Sequence, residues 1–138
     1  MENKTFELKN CDSELLAKEA VKVLLENKAL DVRLFSVKDN SSVTDYYVNA
    51  TGRSSTQVSA LAGYLCDKLS ERGRDELRVE GRQGNSWLLV DYGDVIVNIF
   101  DKPSREFYNF DRHLPEDSEV DISPLVAEVD AKFDLKQN

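Results

Sequence analysis

The sequence has few of the residues that mark metal-binding, disulfide-rich or membrane-inserted proteins. Its two cysteines, Cys11 and Cys66, form no C-x-x-C pair and have no histidine nearby, so they do not support a zinc or redox site. The one histidine, His113, offers little for histidine-based catalysis. No run approaches the ~18 consecutive apolar residues of a membrane helix, and the first five residues lack a signal-peptide pattern. We therefore expect reduced thiols, no membrane partner and a cytoplasmic location.

Positive charge is also in short supply. Lysine and arginine total 18 against 26 aspartate and glutamate, which gives a formal net charge of −8. Proteins held on nucleic-acid phosphates have the opposite sign, so little direct nucleic-acid binding is expected and a basic protein surface is the favoured partner. With 138 residues, 41% of them hydrophobic and 32% charged, the chain has the size and balance of one globular domain.

Hydrophobic periodicity predicts the order α-β-β-α-β-β-β-α. Apolar residues at helical spacing predict a first helix over 14–28 and a second that follows Ser54, where Gln57 completes a capping box. Alternating segments predict strands over 31–37, 44–50, 77–80, 86–91 and 94–100, and a short helix follows Pro103. Short links make the last three strands an antiparallel meander. The pattern predicts an α+β fold, a single mixed five-stranded sheet with packed helices.

The last part of the chain has a different character. Residues 111–138 hold eight acidic and three basic residues, with prolines at positions 115 and 124. We expect a main domain over 1–112 and an acidic extension over 113–138 that is either partly disordered or a short docked helix. A helix around 124–133 would present Leu125, Val126, Val129 and Phe133. Because like charge opposes compaction, we expect the tail from about Asp121 to Asn138 to be dispensable for folding.

Two segments have the residue types of chemical sites but not the spacing. Residues 51–55 (TGRSS) join a strand to a helix, where N–H groups can bind phosphate, yet they match neither P-loop nor dinucleotide spacing. Asp91 and Asp94 flank a turn, and their separation does not bring both carboxylates onto one strand face as a metal site requires. Structural roles are favoured for the first segment, and turn or partner contacts for the second.

Trp87, the only tryptophan, lies in the strand predicted over 86–91. Alternation puts Trp87, Leu89 and Asp91 on one face of that strand and Leu88 and Val90 on the other. A tryptophan on an open sheet face is typical of an interface anchor, whereas a buried tryptophan is a core residue. The pattern leaves both readings open.

Several blocks of the sequence resemble the ribosomal silencing factor family, also called Iojap-like. The resemblance covers about residues 10–112 and rests on two specific blocks in order, D-Y-x-V-x-A-T-G and W-x-L-x-D-Y-G-D-V-x-V, within these runs: 44–52 (TDYYVNATG), 54–58 (SSTQV), 80–81 (EG), 87–97 (WLLVDYGDVIV) and 105–108 (REFY). It departs from the family at Asn98, where relatives commonly have histidine, and over residues 111–115.

The resemblance implies a small non-enzymatic factor that binds the large ribosomal subunit and blocks its joining with the small subunit. The implied partner is the fourteenth protein of the large subunit, and the implied fold is similar to a degenerate nucleotidyltransferase core. No catalytic residue, metal or cofactor is expected. Carried over by position, the contact surface comprises Trp87, Asp91, Tyr92 and Asp94, with Tyr46 and Asp45 as neighbours.

Two other functions remain open at this point. One is a nucleotidyltransferase-like phosphoryl-transfer enzyme, which needs carboxylates that converge on a metal, and the chain offers only Asp91, Asp94 and the distant Asp45. The other is a bare homodimerising sheet protein without a ribosome role, which composition does not exclude. For a silencing factor, a homodimer off the ribosome stays open as a further partner.

Overall fold

The computed structural model describes residues 7–82 and 84–137, without the side chains of Arg82 and of residues 135–137. This part of the chain forms one mixed sheet and four α-helices. In chain order the elements are α1 Ser13–Glu26, β1 Leu30–Ser36, β2 Tyr46–Gly52, α2 Ser55–Glu71, β3 Arg78–Arg82, β4 Trp87–Asp91, β5 Val95–Asp101, α3 Lys102–Tyr108, a 3-10 turn Phe110–His113, β6 Glu119–Val120 and α4 Ser123–Gln137.

The sheet has the strand order β3-β4-β5-β2-β1-β6. β2 and β5 pair in parallel, whereas all other neighbouring pairs are antiparallel, so the predicted mixed sheet and the β3-β4-β5 meander are confirmed. The expected number of five strands was one short. The sixth strand is two residues long and pairs with Leu34 and Phe35 of β1. Such a short strand has no alternation to detect, and it lies in the segment that acidity marked as an extension.

Side-chain caps fix the helix starts that the sequence predicts. Asp12 Oδ1 accepts from the backbone N–H of Leu15 at 2.9 Å, and Ser54 Oγ accepts from that of Gln57 at 3.1 Å. Gln57 Oε1 in turn accepts from the N–H of Arg53 at 2.5 Å, one residue earlier than in the standard capping box. The bonds to Leu15 and Gln57 satisfy N–H groups that the first helical turn leaves without intrahelical partners.

The main core lies between one face of the sheet and helices α1 and α2. It contains buried residues of all these elements, among them Leu16, Leu24, Val48, Leu61, Leu65, Val90, Val97 and Ile99. Gly52 permits the close approach of β2 to α2, because a Cβ atom there would lie 2.9 Å from Cγ2 and 3.0 Å from the backbone N of Val58. The glycine of the TGRSS segment therefore has a packing role.

We call the other side of the sheet the open face. Three neighbouring strands contribute residues that lie opposite one another on this face. In matching order they are Trp87, Leu89 and Asp91 of β4, Phe100, Asn98 and Ile96 of β5, and Thr51, Asn49 and Tyr47 of β2. Helix α3 lies across one end of this face, where the guanidinium of Arg105 sits 5.8 Å from the centre of the Phe100 ring. Asp101 caps α3 by accepting from the N–H of Ser104 at 2.9 Å.

The C-terminal extension is docked on the domain. Helix α4 packs against α1, with Val129 only 3% exposed and with Leu125 and Ile122 partly buried against the core. Lys22 Nζ pairs with Glu128 Oε2 at 2.8 Å, and Lys28 Nζ lies 4.2 Å from the centre of the Phe133 ring. Of the two alternatives for this segment, the structure has the docked helix. The expected dispensability rested on a solvated extension and loses that basis.

None of the helices in the described part of the chain combines the length and apolar character needed to cross a membrane.

Candidate interaction surface

An aromatic cluster covers the end of the open face beneath α3. The Trp87 ring lies 4.9 Å from the rings of both Phe100 and Tyr108 and 6.2 Å from that of Phe110. Tyr108 also contacts Phe107 at 5.0 Å. Each of these centroid distances lies within the range of favourable aromatic pairing. The cluster therefore joins β4 and β5 to α3 and the 3-10 turn through one set of rings.

This cluster is partly accessible to solvent. Trp87 is half-buried, whereas Phe107 is 79% exposed. The predicted face of Trp87 is confirmed, because Leu88 and Val90 point to the core and Trp87 does not. The tryptophan is thus only partly buried, and its ring packs against Phe100 of β5 and Tyr108 of α3.

Asp91 is the last residue of β4, at the other end of the strand from Trp87, and its carboxylate accepts two hydrogen bonds. Its Oδ1 accepts from the backbone N–H of Gly93 at 2.8 Å, and its Oδ2 accepts from Arg78 Nε at 3.1 Å. Burial, with a smaller effect of the Asp91 charge, raises the pKa of Tyr47, which lies on the same face two strands away, across β5. Asp91 thus closes the turn after β4 and presents its charge on the open face.

Asp94 and Asp45 lie at the turn end of the sheet rather than on the open face. Arg74 Nη2 donates to Asp94 Oδ1 at 2.7 Å, and Ser13 Oγ donates to Asp45 Oδ2 at 2.8 Å. The carbonyl of Asp94 also accepts the N–H of Asp45 at 3.0 Å, which ties the start of β5 to the start of β2. The side chain of Asp45 thus connects its loop to α1, and that of Asp94 connects its turn to the segment that follows α2.

Tyr92 and Tyr46 point to the helix side of the sheet and are buried, with 3% and 7% exposure. Burial raises the pKa of the Tyr92 hydroxyl, with a further contribution from the neighbouring Cys66. Burial likewise raises the pKa of Cys66, to about 11, with Glu76 adding to the effect. Both tyrosines are among the residues carried over by resemblance, but in this structure their side chains pack in the main core and expose little area to a partner.

The carboxylates and the TGRSS turn do not assemble a chemical centre. Among residues 7–82 and 84–137, no group of three or more His, Cys, Asp or Glu side chains could hold a metal ion. Asp91 and Asp94 are engaged with different arginines. Ser54 caps α2, and Arg53 donates to the carbonyl of Lys28 at 3.2 Å. What the arrangement offers is an aromatic and charged surface for contact.

Three residues of this surface escaped the sequence reasoning: Phe107, Tyr108 and Phe110. A short helix after Pro103 was expected, but the sequence does not show which part of the sheet that helix covers. The helix side of Tyr92 could have been inferred, since extending the β4 alternation by one residue puts it with Leu88 and Val90. The same parity puts Tyr46 with Val48.

Fold and surface together define a small α+β protein with an open sheet face, whose candidate site is suited to contact with another macromolecule. The family model described as "Ribosomal silencing factor during starvation" matches residues 10–137, past the end of the resemblance noted in the sequence. The chain belongs to this family of ribosomal silencing factors.

Known proteins agree with this assignment. A ribosomal silencing factor of Zymomonas mobilis is 37% identical over 101 residues, which are 73% of this chain and 76% of the relative. A crystal structure of a Chromobacterium violaceum protein superposes with a TM-score of 0.71 at 31% identity, covering 74% of this chain and 85% of that one. A mouse relative named "Mitochondrial assembly of ribosomal large subunit protein 1" is 27% identical over 67% of this chain and 42% of its own length.

Proposed function

We propose that this protein binds the large ribosomal subunit and, by occupying its intersubunit face, prevents the small subunit from joining. The observation that carries the proposal is the aromatic cluster around Trp87 on the open face, in a chain of the ribosomal silencing factor family. The name of the mouse relative refers to the same subunit. Repression of translation would follow from steric occlusion alone, with no chemical step.

The surface has the features of a contact anchor. Interface hot spots are enriched in tryptophan and tyrosine that become well packed in the complex. Trp87 packs against Phe100 and Tyr108, and Phe107 extends the aromatic area into solvent. Asp91 supplies a negative charge at the opposite end of β4, on the same face as Trp87. We infer that Trp87, Phe107 and Asp91 contact the partner directly.

The partner we propose is the fourteenth protein of the large subunit, which the family resemblance implies. A chain of net charge −8 is electrostatically suited to a basic ribosomal protein and unsuited to bare RNA. Asp94, Asp45, Tyr92 and Tyr46 would then act by holding the β4–β5 and β1–β2 connections in shape. The cytoplasm, where ribosomal subunits exchange, is the proposed location.

The alternative of a phosphoryl-transfer enzyme has no observation in its favour. Such an enzyme needs carboxylates that share a metal ion. In this chain Asp91 and Asp94 each pair with an arginine, Arg78 and Arg74 respectively. We therefore propose a factor without catalytic activity, metal or cofactor. A homodimer off the ribosome remains compatible with this function.

Subunit joining in vitro tests the proposal. Purified large and small subunits are mixed in magnesium with the protein present or absent, and the joined ribosomes are resolved on a sucrose gradient. The protein should reduce the joined peak, and Trp87→Ala should restore it. Tyr64→Ala, which removes a 49% exposed aromatic residue from α2 on the other side of the sheet, is the matched control and should inhibit as wild type does. An undiminished joined peak with wild-type protein would refute the proposal.

A further inference from the structure

A continuous chain of side-chain hydrogen bonds crosses the open face from β4 to α3. Trp87 Nε1 donates to Asn98 Oδ1 at 3.0 Å, and Asn98 Nδ2 donates to Asn49 Oδ1 at 3.1 Å. Asn49 Nδ2 then donates to Asp111 Oδ1 at 2.5 Å. The second carboxylate oxygen of Asp111 accepts from Arg105 Nη2 at 2.8 Å. Five residues, each from a different element of the fold, thus form one connected network.

The donors and acceptors of this hydrogen-bond network can be arranged in only one direction. The indole N–H of Trp87 can only donate, so Asn98 must turn its oxygen toward Trp87 and its amide nitrogen toward Asn49. An ionised Asp111 can only accept, so Asn49 must turn its nitrogen toward Asp111 and its oxygen toward Asn98. The two ends therefore agree on the orientation of both amides, and reversing either amide would set like groups against each other.

The network is buried where apolar residues would otherwise be expected. Asn49 and Asn98 are both 0% exposed. The residues next to Asn98 on the same face of β5 are apolar, Ile96 and Phe100. A buried amide without partners is costly, whereas one fully hydrogen-bonded fixes the geometry of its surroundings. Arg105, 8% exposed, also donates from Nη1 to Thr51 Oγ1 at 2.8 Å, which anchors the far end to β2.

We infer that Asn98, Asn49 and Asp111 are positioning residues that hold the indole of Trp87 in the orientation in which it meets its partner. The hydrogen bond fixes the edge of the ring that carries Nε1, and the rings of Phe100 and Tyr108, each 4.9 Å away between centroids, pack against it. Asp111 serves both constraints, because it follows Phe110, whose ring also contacts Trp87. This role deepens the proposed function and rests on it for its biological purpose.

The free protein provides the first test, since its one tryptophan gives one indole N–H signal in a ¹H–¹⁵N spectrum. Asn98→Leu removes both amide links at similar volume. We expect the indole signal to shift and its exchange with solvent to accelerate by about tenfold, the upper range for losing one net hydrogen bond. Ile99→Val, in the same strand but in the main core, is the control and should leave that signal in place.

A second variant tests the chain at a distance. Asp111→Asn alters the network three hydrogen bonds away from the indole, at a side chain 16% exposed, and so provides a test even where Asn98→Leu does not fold. We expect a smaller shift and acceleration in the same direction. An indole signal that is unchanged in Asp111→Asn, or one that moves equally in Ile99→Val, would overturn the inference.

Binding to purified large subunits separates this inference from the proposed function. Asn98→Leu should weaken binding by several-fold, whereas Ile99→Val should not. If Trp87→Ala binds as well as wild type, the proposed contact fails while the indole signal still decides whether the chain orients Trp87. If Trp87→Ala loses binding but Asn98→Leu moves the indole signal and keeps full affinity, the positioning role in binding is refuted.

Discussion

Ending the chain after Val120 removes α4 and should destabilise the domain measurably. The deletion exposes the sites that Val129, Leu125 and Ile122 cover, and full burial of one such side chain is worth about 1.5–3 kcal/mol. The ion pair of Lys22 with the largely exposed Glu128 adds at most ~1 kcal/mol. Since ordering the helix costs conformational entropy, we expect a net loss of about 2–4 kcal/mol in the free energy of unfolding.

A loss of this size should be visible in urea and in heat. For a chain of this length it corresponds to a fall of about 10 °C in Tm. Urea unfolding followed by Trp87 fluorescence and by circular dichroism should show a lower midpoint and a smaller m-value, because less surface is exposed on unfolding. Val129→Ala in the full chain should reproduce about 1–2 kcal/mol of the loss.

Ala127→Ser is the matched control on the same helix, since Ala127 is exposed, and it should leave the midpoint within about 0.5 kcal/mol of wild type. A truncated chain with unchanged midpoint and unchanged m-value would refute the reasoning. It would mean that α4 adds nothing to the stability of the domain, as a solvated extension would.

Three further outcomes are expected. Gly52→Ala should cost about 1–3 kcal/mol, because its Cβ would press on Val58, whereas Gly63→Ala, where the Cβ meets nothing within 4 Å, should stabilise α2 by up to ~1 kcal/mol in the same thermal unfolding assay. Because the pKa of Cys66 is raised to about 11 in the folded state, the folded protein keeps a thiol proton that the unfolded chain loses above pH about 9. The free energy of unfolding should therefore fall as the pH rises from about 9 to about 11. Cys66→Ala should reduce this pH dependence in urea titrations. Calorimetry with magnesium and ATP should give no stoichiometric isotherm, and an isotherm abolished by Asp91→Ala would instead favour the enzyme.

Local patterns in the sequence predicted the parts of the fold that local forces determine. The apolar stripe of α2 and its Ser54–Gln57 cap lie within one segment, and the short links between β3, β4 and β5 leave an antiparallel meander as the simple connection. The two-residue strand β6 and the docking of α4 depend on contacts with β1 and α1, far away in the chain. Acidity alone suggested a solvated segment, because it does not reveal that Lys22 of α1 pairs with Glu128 of α4.

The candidate site was predictable in part for the same reason. Alternation placed Trp87 and Asp91 on one face correctly, since period-two geometry is a local property of a strand. The meeting of Asn98 with Asn49 requires the parallel pairing of β5 with β2, which no short-range spacing reveals. Asp111 reaches the same network only because α3 folds back over the sheet.

Binding to isolated large subunits tests the central claim most directly. Labelled wild-type protein, Trp87→Ala and the control Tyr64→Ala are titrated against purified large and small subunits, and bound protein is measured after co-sedimentation. We predict saturable binding to the large subunit alone, a Kd raised by roughly 30-fold in Trp87→Ala from the loss of about 2 kcal/mol, and no change in Tyr64→Ala. Equal binding to both subunits, binding to neither, or full affinity in Trp87→Ala with the fold intact would contradict the claim.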